Sequence, residues 1–82
     1  MSEIKTTDDL FLVITTEASI DLAGALSKEL IRQGLAACIN FQDVKSRFLW
    51  EGSIEELDEV QLLIKTTESK IELLLKTIND LH

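Results

Sequence analysis

The apolar residues of this chain change their spacing from continuous, to helical, to strand-like, and back to helical. That order restricts the fold more than any other feature. Leu10-Phe11-Leu12-Val13-Ile14-Thr15-Thr16 is an unbroken run rich in strand formers. It is too short for a helix, and without alternation it reads as a strand covered on both faces, or at least central in a sheet. Ser19 then offers an N-cap, and Asp21 puts a negative charge in the first turn, where the helix dipole favours it. Leu22, Leu26 and Leu30 recur at helical spacing, Ala23 and Ile31 broaden the stripe, and Gly34 supplies a stop. The spacing predicts a helix over residues 19–33.

Leu35 to Phe41 follows with almost no linker and reads as a second strand. The polar stretch from Gln42 to Ser46 interrupts it, and Arg47 to Glu51 resumes strand character. Gly52-Ser53 marks a turn, and Val60, Leu62 and Ile64 then share one face, so the segments around Gly52 form a long hairpin. Ser69 with Glu72 fits a capping box, with Thr67 as a competing cap. Ile71, Leu74, Leu75, Ile78 and Leu81 then mark the buried face of a second helix. The order β-α-β-β-α is an α+β pattern that matches a ferredoxin-like split βαβ unit, with both helices on one face of an antiparallel sheet and the closing strand absent. In such a unit the closing strand flanks the first strand, so its absence leaves Leu10–Thr16 with an unpaired edge.

Composition narrows the function. Eighty-two residues make one small domain with a marginal core. Lys and Arg number 8 against 15 Asp and Glu, a net charge of -7, which argues against nucleic acid and against an anionic membrane surface. No apolar run approaches the ~18 residues of a membrane span, and no basic segment leads into an apolar one at the N-terminus. A cytoplasmic protein is the expectation. The single cysteine, Cys38, excludes an internal disulfide, so a chain this small calls for a metal or for oligomerisation.

No nucleophile–base pair, phosphate loop or CxxC motif is present, and no enzyme activity is expected. Cys38 reads either as a soft-metal ligand or reactive thiol, or as a small buried hydrophobe among Ala36, Ala37 and Ile39. If a helix covers its face of the sheet, the thiol is shielded. Trp50 suits an interface or pocket wall as well as strand packing. His82 reads as a ligand or as a frayed end. The acidic run from Glu55 to Glu59 reads as a hard-cation site or as a solvated edge. Lys65 closes an apolar strand, and would pair with Glu59 or Glu51 or meet an anionic ligand.

Three strings, in this order and at this spacing, carry a resemblance: Leu35-Ala36-Ala37-Cys38-Ile39-Asn40, then Trp50-Glu51-Gly52, then Glu59-Val60-Gln61-Leu62-Leu63-Ile64-Lys65-Thr66-Thr67. Together they resemble the CutA divalent-cation tolerance family, from about Leu10 to the end of the chain. The resemblance implies a PII-like, ferredoxin-like fold and a tight homotrimer. In it the hairpin strands, here Leu35–Glu51 and Glu56–Thr67, reach past the subunit to pair with neighbours. It also implies a role in tolerance to copper and other divalent ions, with no enzyme reaction. By motif match, Cys38, Trp50, Glu59 and Lys65 lie in or near a cleft between subunits that takes a metal ion or small anion, and His82 is the metal-ligand candidate. Thr15 and Leu81 stand where some members carry the other soft ligands. The resemblance makes residues 1–82 one CutA-like domain that lacks the family's closing strand and final helix. The other reading is a structural, protein-interaction trimer with no metal site.

Overall fold

The computed structural model describes residues 9–81. Its elements run β1 (Leu10–Glu17), α1 (Ile20–Arg32), β2 (Cys38–Trp50), β3 (Ser53–Thr67), a 3-10 turn (Glu68–Lys70) and α2 (Ile71–Leu81). Among the described residues the three strands form one antiparallel sheet in the order β1-β3-β2, with β1 and β2 on its outside. This is the ferredoxin-like α+β arrangement that the element order implies.

Helix α1 has both expected ends. The Ser19 side chain accepts the backbone N–H of Leu22 at 3.2 Å, which satisfies one of the unpaired donors of the first turn. At the other end Gly34 adopts φ +71. The N–H groups of Gly34 and Leu35 donate back to the carbonyls of Ile31 and Leu30, each at 3.0 Å. That pair of bonds is a Schellman motif, and it turns the chain directly into the sheet.

The core lies between the helices and one face of the sheet. Leu62 and Ile64 of β3, Ala23 and Leu30 of α1, and Leu74 of α2 are all at 0% exposure. Leu26, Leu35, Ala36, Val60 and Ile78 complete the cluster, and Val13 and Ile39 pack against it from the edge strands. Register places Val13, Ile64 and Ile39 side by side. Odd-numbered residues of β1 and β2 therefore share the helix face with even-numbered residues of β3.

Several expectations are corrected. Strand β1 is not covered on both faces: Leu10, Leu12 and Ile14 are exposed, because both helices sit on the other side of the sheet. The polar stretch from Gln42 to Ser46 does not interrupt β2. It pairs residue by residue with β3, from Gln42 opposite Gln61 to Ser46 opposite Leu57. Strand β3 likewise runs through the acidic segment. Leu22 and Ile31 of α1, and Leu75 and Leu81 of α2, are exposed, while Ser27 and Thr77 are buried. The burial stripe is thus narrower than the apolar stripe. The chain enters α2 through the 3-10 turn, with Thr67 rather than Ser69 at its cap position and the two hydroxyls 3.3 Å apart.

Candidate functional site

The β2–β3 hairpin is the long axis of a molecule measuring 47 × 22 × 21 Å. Its tip is a two-residue turn with Glu51 at φ 48 and Gly52 at φ 82. Positive φ at both positions matches the turn to the twist of its strands. Trp50 pairs with Ser53 at this tip and is 61% exposed. At the hairpin's base Cys38 stands opposite Lys65, which on its other side stands opposite Leu12.

These positions decide what one chain brings together. Cys38 and Lys65 are neighbours across the ladder. Trp50 lies twelve residues along β2 from Cys38, about 40 Å away at ~3.3 Å per residue. Glu59 lies six residues along β3 from Lys65, about 20 Å away by the same rise. All four side chains share the face of the sheet that carries no helix, yet within one chain only Cys38 and Lys65 adjoin.

Cys38 is half-buried and stands on the helix-free face. The expected shield is therefore wrong: the helices cover the Ile39 side, not the Cys38 side. Lys65 forms no ion pair with Glu51 or Glu59. His82 lies outside the described residues.

The acidic run is split by the alternation of the strand. Glu56 and Asp58 face the helix side, where Arg47 donates to Glu56 at 2.8 Å and Lys45 donates to Asp58 at 3.0 Å. Lys45 also reaches Glu56 at 3.7 Å. All four side chains are solvated, so each pair contributes only about 0.2–1 kcal/mol. Two of the four carboxylates in the run, Glu56 and Asp58, are thus already paired with cations. Among the described residues no group of three or more His, Cys, Asp or Glu converges on a point. Glu59 borders a shallow groove of about 540 Å³ between the start of α1 and the hairpin, along with Ser19, Ile20, Asp43 and Val44.

Sequence reasoning pointed to an apolar strand face around Trp50 and missed that the helix-free face is apolar at the β1 end as well. Leu10, Leu12 and Ile14 line one end of it, and Phe48, Trp50 and Leu57 line the other, all exposed. The unbroken apolar run of β1 was the available signal, since only half of its residues can face the helices. No described helix is long and apolar enough to cross a membrane.

The sequence model described as CutA1 divalent ion tolerance protein matches residues 11–82. The divalent-cation tolerance protein CutA of Thermococcus kodakarensis is 35% identical over 74 residues, covering 90% of this chain and 71% of that protein. The CutA structure from Synechococcus elongatus superposes with a TM-score of 0.88 at 32% identity, covering 96% of this chain and 70% of that one. The structure of the periplasmic divalent cation tolerance protein CutA from Archaeoglobus fulgidus gives a TM-score of 0.85 at 31% identity, covering 90% and 72%.

Proposed function

The chain belongs to the CutA1 divalent ion tolerance family, and from that premise we propose that it is a non-enzymatic, homotrimeric binding module of divalent-cation tolerance. In this reading residues 1–82 act as one CutA-like domain in the cytoplasm. A cleft between subunits takes a metal ion, copper first, or a small anion.

The observation that carries the reading is the uncovered apolar face. Six large side chains on it are roughly half exposed, so burying each in an interface favours association by about half of the ~1.5–3 kcal/mol that a fully exposed side chain gives. The spacing along the hairpin agrees. Trp50 lies too far from Cys38 and Lys65 to share a site with them in one chain, so a site holding all of them draws on more than one copy.

The residues of a single described chain do not fit a divalent cation. Cys38 stands beside Lys65, whose ammonium repels a metal ion and attracts an anion. A metal would need ligands from several copies, together with His82. The same neighbourhood favours the second reading, a trimer that presents a surface to other proteins and has no metal site.

Light scattering and calorimetry with copper, zinc and phosphate test these readings together. The proposal expects a trimer that binds copper stoichiometrically, with binding lost in His82→Ala, or binds phosphate, with binding lost in Lys65→Ala. A trimer giving no heat with any of the three leaves the interaction reading. A monomer at micromolar concentration refutes both.

A further inference from the structure

The helix-free face of the sheet carries its exposed apolar residues in two separate patches, and each patch surrounds one charge. At the hairpin tip Phe48 stands opposite Glu55, with Trp50 and Leu57 beside the pair. At the hairpin's base Leu12 stands opposite Lys65, with Leu10 and Ile14 to either side of Leu12 on the same face. The six apolar side chains are exposed, as are Glu55 and Lys65. Between the patches the face is polar, where Thr16, Gln61 and Gln42 share one rung.

The charges of the strands are sorted by face. Lys45 and Arg47, on the helix side, pair with Asp58 and Glu56. Among the described strand residues Lys65 is the one cation on the open face, and Glu55 and Glu59 are its carboxylates. Along β3 Glu59 lies about 20 Å from Lys65 and Glu55 about 33 Å, by the rise of a strand. Neither reaches the lysine within one chain. An ammonium covered without a partner loses its hydration and gains nothing in return. Whatever covers the base patch must therefore bring an anion.

We propose that the tip patch of one copy seats on the base patch of the next, with Glu55 of the first against Lys65 of the second. The inference rests on the reading that copies of the chain cover the open face, and it names the contact through which they do so. Charge selects this pairing of patches. Tip on tip would set Glu55 against Glu55, and base on base would set Lys65 against Lys65, whereas tip on base opposes unlike charges. Each patch is apolar around its charge, so water leaves the ion pair as the contact forms, and Trp50 supplies a large anchor beside it. The patches lie too far apart for one chain to join its own. Each copy thus offers one patch of each kind, and the contact repeats from copy to copy until a ring closes.

The test is sedimentation velocity on the full chain at matched concentration and low salt. Glu55→Lys and Lys65→Glu should each assemble roughly tenfold or more weakly than the wild type. The double variant carrying both changes should regain wild-type assembly. Circular dichroism checks that each variant is folded, and Glu55→Gln, which removes the charge without reversing it, should weaken assembly in the same direction. Assembly of Glu55→Lys equal to that of the wild type would overturn the proposal. So would rescue of Lys65→Glu by Glu59→Lys instead of Glu55→Lys. An assembly that requires added phosphate, and keeps that requirement in Glu55→Lys, would assign Lys65 to a small anion and overturn it too. These three results leave the covered face standing. A wild type that is monomeric at micromolar concentration would overturn both the proposal and the reading beneath it.

Discussion

Replacing Thr66 by Val tests the joint between the end of α1 and the sheet. Thr66 is 2% exposed, and its hydroxyl donates to the carbonyl of Leu35 at 2.7 Å across 31 residues of sequence. Leu35 also holds the Schellman bond to Leu30, so the threonine hydroxyl secures the segment that leads from α1 to β2. Valine keeps the shape and the β-branch that a strand favours, and removes only the donor. The Leu35 carbonyl is then buried without this partner, which costs about 1–3 kcal/mol. For a domain of this size 1 kcal/mol moves the thermal midpoint by about 4–8 °C, so the expected loss is at least ~4 °C and more where water does not reach the carbonyl. Thermal unfolding at matched protein concentration measures it, since any assembly makes the midpoint concentration-dependent. A midpoint within ~1 °C of the wild type would refute the reasoning, because it would mean that the joint does not depend on this bond.

Ser19→Ala should cost about 0.5–2 kcal/mol by removing the cap of α1, read by urea denaturation, with Ser19→Asp restoring it. Glu51→Asn should stabilise the hairpin by up to about 1 kcal/mol, because asparagine tolerates the left-handed backbone found there, read by the same assay. The Glu29 carboxyl is held below its ordinary range by a hydrogen bond from Gln33 and then by the charge of Arg32. Its pairing therefore persists above the usual carboxylate range and is lost as pH falls through the lowered pKa; an NMR titration of Gln33→Ala should show that pKa moving back up. Cys38 stands half-buried on the helix-free face, so its labelling by a thiol reagent should slow as protein concentration rises if copies cover that face, and a constant rate would count against such cover.

The order of elements and the ends of α1 were legible because short-range chemistry fixes them. Ser19 caps, Gly34 takes the left-handed conformation, and the apolar spacing separates strand from helix. The continuity of β2 was not legible. From Gln42 to Ser46 nothing local favours a strand, and the segment is extended because β3 lies beside it over its whole length. The pairing of Lys45 and Arg47 with Asp58 and Glu56 is written in the sequence as complementary charge, but it becomes readable only once the turn at Glu51-Gly52 fixes the register. The breadth of the helix stripes misled for a different reason. Leu22, Ile31, Leu75 and Leu81 look like core residues by type and spacing, yet a single three-stranded face leaves them at the rim.

The candidate site was legible only as a set of residues, and the reason is geometric. Cys38 and Lys65 are 27 positions apart in the chain and adjacent in the ladder. Trp50 is closer to Cys38 in sequence and roughly 40 Å away along the strand. A long two-stranded ribbon separates residues that sequence brings near, and it makes the far end of one molecule available to the base of another. The apolar run of β1 behaves in the same way. Of its odd positions Val13 packs against the core beside Ile64, while its even positions, Leu10, Leu12 and Ile14, find no helix above them. The continuous run that suggested a strand buried on both faces is thus accounted for by one covered face and one open one. No described element covers the open face, and that is why this face, rather than any cluster of ionisable groups, is where the function of this chain should be sought.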